Sequence, residues 1–352
     1  MMKILSVIGA RPQFIKAGPV SRAIRERHVE VLVHTGQHYD DNMSKVFFDD
    51  LGIPLPEYNL GVGSGGHGRQ TGRMLERLEE TILIERPDWT LVYGDTNSTL
   101  AGAISAAKLH VRIAHVEAGL RSFNRQMPEE VNRVVTDHLS DLLFCPSQQA
   151  VGNLAAEGIT RGVHLVGDVM RAALEFASER AASRSDILEK LGLTDGGYLL
   201  ATVHRAENTD DEICLSNILR ALDGTGDVVI FPIHPRTRRA VAKTGYITSP
   251  NVRMIDPVGY LDMVKLERCA RLVLTDSGGI QKEAYWLGVP CITLREETEW
   301  VETVNAGWNV LTGADMGRII YNVKNFRPPA ARPPLYAEAN SASRIAQLLL
   351  AS

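Results

Sequence analysis

Cysteine is scarce in this 352-residue chain: Cys145, Cys214, Cys269 and Cys291 are the only four, and no two form a Cys-x-x-Cys pair. The spacing argues against a metal or thiol-redox motif and fits buried free thiols in a reducing compartment. No apolar run approaches the ~20 residues that cross a bilayer, so no membrane partner is expected. Met1-Met2-Lys3-Ile4-Leu5 enters a strand with no signal-peptide pattern ahead of it, and the expected location is cytoplasmic. Basic residues are slightly outnumbered, 38 against 42 acidic for a net charge of -4, which leaves no electrostatic footprint for nucleic acid. No Gly-x-Gly-x-x-Gly follows the first strand of either half, and no Walker A sequence is present. A dinucleotide redox cofactor is therefore not expected. His34, His38, Asp40 and Asp41 are too irregularly spaced to read as a metal site.

What is present is ordinary globular composition, 44% hydrophobic and 23% charged, in a chain long enough for two domains. Short apolar stretches alternate with helix-like segments, and the alternation restarts midway. Strands are expected at 3–8, 29–34, 89–93, 111–116, 141–145 and 163–166, then at 198–203, 228–231, 252–255, 271–275 and 291–294. Lys3–Ile8 is apolar without alternation, as in a parallel strand buried on both faces. The pattern predicts an α/β protein of two Rossmann-like domains, 1–168 and 169–330, and a C-terminal helix within 331–352, whose return to brace the first domain nothing in the pattern itself shows. Residues 52–66 read as loop, with Gly61 to Gly66 either closing over a ligand or having no fixed structure.

Chemistry concentrates at strand ends. Asp95, Glu117 and Glu129 each lie just beyond an expected strand or at a helix start, positions that converge on one crevice in an open α/β sheet. Singly they read as caps or loop charges; together they offer carboxylates whose pKa values an enclosed site pushes apart into base and acid. Gly9-Ala10-Arg11-Pro12 turns from the first strand into a helix carrying Arg11 and Lys16 in its first turns. Cations there oppose the helix dipole, which favours a bound anion between them. In the second half, Ser277-Gly278-Gly279 at a strand-to-helix turn lets backbone N–H groups approach a phosphate, and Glu283 a helical turn later suits a ribose diol. With redox dinucleotides set aside, a nucleoside diphosphate attached to another group is the natural ligand.

At these residues the chain resembles the non-hydrolysing UDP-N-acetylglucosamine 2-epimerases. The matching segments, in order, are Gly9-Ala10-Arg11-Pro12, Gly94-Asp95-Thr96, His115 to Arg121, Pro128-Glu129-Glu130 to Arg133, His204-Arg205 and Asp276 to Gln281. The resemblance spans essentially the whole chain. It implies a GT-B fold with the nucleotide in an interdomain cleft, a homodimer, and neither redox cofactor nor catalytic metal. It also implies elimination of UDP across C1–C2 to a 2-acetamidoglucal, then re-addition with inverted C2. On that resemblance Asp95, Glu117 and Glu129 are the acid/base carboxylates, with the C2 base unassigned. His204 stabilises the leaving pyrophosphate or shuttles a proton. Arg11, Lys16, Arg133, His234 and Arg295 hold phosphate or sugar; Ser277, Gly278 and Gly279 take the diphosphate and Glu283 the ribose.

Two departures separate this chain from many members. Ala206 stands where those members have an arginine, and Tyr39 to Met43 differs after Gly-Gln-His, so activation by a second substrate molecule is not implied. Gly36 to Asp40 and Ser122-Phe123-Asn124-Arg125 resemble a branch acting on UDP-2,3-diacetamido-2,3-dideoxyglucuronate. A GT-B glycosyltransferase needs one base and an open acceptor groove, and a silent sensor would have lost some of the carboxylates; three acids present favour the epimerase. Activity is expected to survive EDTA and exhaustive removal of NAD. Activity lost on dialysis and restored by either addition would overturn the cofactor-free reading.

Overall fold

Two apolar stretches, Lys3–Ile8 and Trp89–Tyr93, pair in parallel, and burial on both faces explains why neither alternates with polar residues. A computed structural model describes residues 1–37, 45–336 and 340–351 of the chain. They divide into two compact units, Met1–Phe176 with Tyr336–Ser352, and Ala177–Leu335.

The first unit starts with β1 (Lys3–Ile8), α1 (Arg11–Arg25), β2 (Val29–His34), α2 (Lys45–Leu51), β3 (Tyr58–Asn59) and α3 (His67–Glu85). It continues through β4 (Trp89–Tyr93), α4 (Asn97–Lys108), β5 (Arg112–Val116), α5 (Pro128–Leu139) and β6 (Leu142–Cys145). Then come α6 (Gln148–Ala156), β7 (Val163–Leu165) and α7 (Val169–Arg184), the helix in which the units divide. All seven strands are parallel, in the order β3-β2-β1-β4-β5-β6-β7.

The second unit has α8 (Ile187–Leu191), β8 (Leu199–Thr202), α9 (Ala206–Thr209), α10 (Glu212–Gly224), β9 (Val229–Pro232) and α11 (Pro235–Thr244). Next are β10 (Val252–Ile255), α12 (Tyr260–Arg268), β11 (Leu272–Thr275), α13 (Gly278–Leu287) and β12 (Cys291–Thr293). It closes with α14 (Val301–Asn305), β13 (Asn309–Leu311) and α15 (Met316–Asn325), its parallel order being β10-β9-β8-β11-β12-β13. Leu199 and Ala201 pack into one core layer of this sheet, Tyr198 and Leu200 into the other. The final helix, α16 (Ser341–Ala351), packs on α1 within the first unit.

Two parallel sheets with helices bear out the two Rossmann-like domains expected from the alternation and fit the GT-B class that the resemblance implies. β3 and β13 were not expected: β3 lies inside the stretch read as loop, and strands of two or three residues are too short to show a period. α2 is described from Lys45 onward; 38–44, including the Tyr39 to Met43 segment and His38, lie outside the described residues. Among the described residues no helix is long and apolar enough to cross a membrane.

Each sheet reverses its strand order once, between β1 and β4 and between β8 and β11, and loops at those switch points form crevices. The first crevice is built on close approach. A Cβ on Gly9 would stand 2.1 Å from Ser98 Oγ and 2.2 Å from Thr35 Oγ1, so only bare backbone leaves β1 there. Gln13 then ties this turn to β4: its Oε1 accepts from Gly9 and Ala10 N–H at 2.8 and 3.0 Å, and its Nε2 donates to the Tyr93 carbonyl at 2.7 Å. Gly9→Ala is expected to lower stability by ~1–3 kcal/mol, the usual cost of overpacking. A shift of the urea midpoint to lower denaturant checks this; an unchanged midpoint would show that the two hydroxyls yield freely.

Candidate active site

Asp95 follows Gly94, whose φ of +64° turns the chain out of β4. Its carboxylate accepts from Arg133 Nη2, and its carbonyl accepts from Asn132 Nδ2 at 2.9 Å, so α5 holds the residue at two points. Glu117 follows β5 with φ +74°, a left-handed conformation that costs a non-glycine residue energy and that recurs at functional positions. Its Oε2 is hydrogen-bonded to Lys16 Nζ. Burial alone would lower the Lys16 pKa; Glu117, with Asp95 and Asp168, outweighs that and holds it above the ordinary lysine value. Lys16 thus stays a cation between two of the predicted carboxylates. A Cβ on Gly94 would lie 3.3 Å from Glu117 Oε2 and 3.6 Å from Lys16 Nζ, which shows how closely the three converge.

Glu129 lies on α5, four residues before Arg133. It is exposed in the first turn of α5 and makes no hydrogen bond or ion pair among the described residues. The adjacent Glu130, which the sequence did not single out, is 1% exposed. It accepts from Ser122 N–H and Oγ and from Phe123 N–H, each at 2.9 Å, and from Arg133 Nη1 at 3.1 Å. Burial opposes its ionisation; the Ser122 and Phe123 donors and Arg133 prevail and hold its pKa below the ordinary range. Arg133 therefore bridges a buried structural carboxylate and Asp95, and its Nε is buried with no acceptor among the described residues. Arg11 stands 5.5 Å from the Phe47 ring centre, and the Gly9 and Ala10 N–H groups at its turn are already taken by Gln13.

In the second unit His204 leaves β8 with its side chain about half exposed, and its Nδ1 lies 3.1 Å from Asp276 Oδ1. Nδ1 is therefore the protonated nitrogen in the neutral ring, which leaves Nε2 on the open side. Asp276 is fully buried and also accepts from His204 and Arg205 N–H and from Asn208 Nδ2. Burial works against its charge; His204 and the other donors win and depress its pKa. Ser277 caps α13 by accepting from Ile280 N–H, so its own hydroxyl hydrogen is available to donate. The first N–H groups of that helix, on Gly278 and Gly279, have no intrahelical partner. Arg295 makes two bonds to Glu299, at 2.9 and 3.0 Å, and keeps a buried Nε without an acceptor among the described residues. Beside these groups a cavity of about 360 Å³ is lined by His204, Pro232, His234, Arg236, Met263 and Ile280, among others. His234 Nδ1 accepts from Arg236 N–H at α11, leaving Nε2 as its donor.

Among the described residues no cluster of three or more histidines, cysteines or acids has the makings of a metal site. His34 is buried and its pKa is lowered to about 4, and its Nδ1 accepts from Gly36 N–H. The structure thus gathers Asp95, Glu117, Lys16 and Arg133 in the first unit. In the second it gathers His204 with His234 at the cavity, and Ser277, Gly278 and Gly279 at the α13 start. Glu283 is half-buried on α13, one turn beyond.

A family model described as UDP-N-acetylglucosamine 2-epimerase matches residues 22–350. A Methanococcus maripaludis protein, a UDP-N-acetylglucosamine 2-epimerase homolog, is 52% identical over 99% of both chains. The UDP-2,3-diacetamido-2,3-dideoxy-D-glucuronate 2-epimerase of Pseudomonas aeruginosa is 51% identical over 99% of both. A crystal structure of Methanocaldococcus jannaschii UDP-GlcNAc 2-epimerase in complex with UDP-GlcNAc and UDP superimposes with a TM-score of 0.85 at 41% identity, covering both chains fully.

Glu130→Gln is expected to cost ~1.5–3 kcal/mol at pH 7, the range for lost hydrogen bonds to a charged group. Because the folded pKa is depressed, the carboxylate contributes stability above the unfolded value of ~4.3 and loses it as pH falls through the folded one. The gap between wild type and variant, followed by urea unfolding, should therefore close in acid; a gap constant down to pH 2 would contradict the assignment.

Proposed function

The chain belongs to the UDP-N-acetylglucosamine 2-epimerase family and is an isomerase, and from that premise we propose that it interconverts UDP-N-acetylglucosamine and UDP-N-acetylmannosamine. The observation that carries the reading is the pair of carboxylates, Asp95 and Glu117, at neighbouring strand ends with Lys16 and Arg133 as their cations. The C2 hydrogen of an acetamido sugar is a poor acid, so its removal needs a positioned base. As a carboxylate takes that proton, the C1–O bond to UDP breaks, the C1=C2 bond of the glycal forms, and UDP leaves with both bonding electrons. Return of UDP to C1 with protonation at C2 from the opposite face completes the inversion.

Asp95, Glu117 and Glu129 are proposed as the acid/base set. Exposed Glu129, whose side chain has no partner among the described residues, suits a group that engages only with substrate present. The second unit is proposed to hold the nucleotide. The cavity beside His204 and His234 suits the base, the Gly278 and Gly279 amides with Ser277 suit the diphosphate, and Glu283 suits the ribose diol. His204, oriented by Asp276, would face the departing pyrophosphate. Arg11 and Arg133 in the first unit and Arg295 in the second are proposed as further substrate-binding groups; the Nε atoms of the last two, buried with no acceptor among the described residues, support that role. A homodimer working in the cytoplasm and supplying cell-surface polysaccharide synthesis completes the proposal, supported by the family resemblance.

One observation favours a second reading, 2-epimerisation of UDP-2,3-diacetamido-2,3-dideoxyglucuronate: the 51% identity to an enzyme of that name. Its carboxylate requires an added cation, and exposed Arg125, with no partner among the described residues, lies on the loop that Glu130 anchors.

The test is incubation with each UDP-sugar in D2O, following C2 by NMR. Turnover should exchange the C2 hydrogen for deuterium and release traces of UDP and glycal; full retention of hydrogen would falsify elimination. Asp95→Asn, Glu117→Gln and Glu129→Gln should each lower kcat ~100-fold or more, the scale of general acid–base assistance.

A further inference from the structure

Resting on that reading, we propose that His115 is a positioning residue for Asp95, a buried doubly protonated imidazole that fixes the Gly94 carbonyl and is itself held by Asp137. His115 lies on β5 with its side chain wholly buried. Its Nδ1 is 2.7 Å from Asp137 Oδ1, and its Nε2 is 2.7 Å from the Gly94 carbonyl oxygen. A carbonyl oxygen only accepts. Asp137 is an acceptor too: its second oxygen already receives Arg121 Nη1 at 2.6 Å and Gly119 N–H at 3.1 Å. Both ring nitrogens therefore face acceptors, and both must carry hydrogen to satisfy them.

The charge this puts in the interior is balanced within the cluster. His115 and Arg121 supply two cations. Asp137 and Glu157, the latter taking Arg121 Nε and Nη2 at 2.7 and 2.8 Å, supply two carboxylates. Burial pushes Asp137 toward protonation, and His115 and Arg121 reverse this and depress its pKa. Cys145, on the neighbouring strand β6, adds no charge, since burial raises its thiol to about 12.

The consequence reaches Asp95 through its own peptide. Gly94 N–H donates to the Val116 carbonyl at 3.0 Å, and the Gly94 carbonyl accepts from His115, so β5 answers both polar groups of the residue before Asp95. Asn132 holds the Asp95 carbonyl and Arg133 its carboxylate. Of these four ties, the Val116 and His115 bonds both cross from the strand that delivers Glu117, and the His115 bond is the one made by a side chain of that strand. With the Val116 bond it sets the spacing of the two carboxylates that must meet the same sugar, and misplacement by ~1 Å is enough to cost ~100-fold in rate.

The two amide substitutions divide the ring's functions. His115→Asn keeps an N–H where Nδ1 serves Asp137 and loses the reach to Gly94; His115→Gln places its N–H where Nε2 was. His115→Asn should lower kcat ~10-fold or more while the Kd for UDP stays within about threefold, and His115→Gln should recover most of the loss. Equal kcat losses in both variants, or a wild-type kcat in His115→Asn, would overturn the proposal. The wild-type protein gives a measurement independent of variant folding: ¹⁵N-histidine NMR at pH 7 should show one histidine with both ring nitrogens protonated. A pyridine-like nitrogen on His115 would sink the idea. Wild-type enzyme inert toward both UDP-sugars would overturn the functional reading instead, leaving the ring spectrum to decide the charge by itself.

Discussion

A carboxylate removed from water must find donors or cations, and leaving it unpaired costs several kcal/mol. The first unit is arranged around two such groups on one helix, Glu130 and Asp137 of α5, both 1% exposed. Glu130 collects the Ser122 and Phe123 amides, and Asp137 collects Gly119, Arg121 and His115. Between them they dictate the path of the chain from the end of β5 to the start of α5. That path carries Glu117 at one end and Glu129 at the other. Glu129 stays exposed, while Glu117 and Asp95 take Lys16 and Arg133 as their partners.

The second unit repeats the solution with Asp276. Buried at the end of β11, it gathers N–H groups from the turn after β8 and so fixes His204 and Arg205 across the switch point of the sheet. Ser277 and the glycines then begin α13 directly beyond it. In the second unit the buried acid thus lies at the topological switch with Ser277 next to it; in the first, buried Glu130 lies next to exposed Glu129 on α5.

On the proposed function, heterolysis of the C1–O bond develops charge on pyrophosphate, and preorganised N–H donors and guanidinium groups stabilise such charge. Lys16, kept cationic against its burial by Glu117, Asp95 and Asp168, holds a fixed positive charge beside Glu117.

The sequence alone determined the alternation of strands and helices, the parallel sheets and the strand-end positions of Asp95, Glu117, His204 and Ser277. Those follow from local periods and from glycines at turns, which a single chain displays to any reader. It did not distinguish Glu129 from Glu130, because neighbouring acids at a helix start look alike until the helix phase against β5 is known. Packing left the first exposed and buried the second under four donors. It also read Lys16 as one of two cations awaiting an anion, whereas its partner Glu117 lies 101 residues away. The charge on His115 and the burial of Arg121 belong to the same class: both depend on Asp137, which only the folding of α5 onto β5 brings within hydrogen-bond reach. Local pattern encodes elements and their ends; which charge meets which is set by contacts between distant segments, and only tertiary structure decides those.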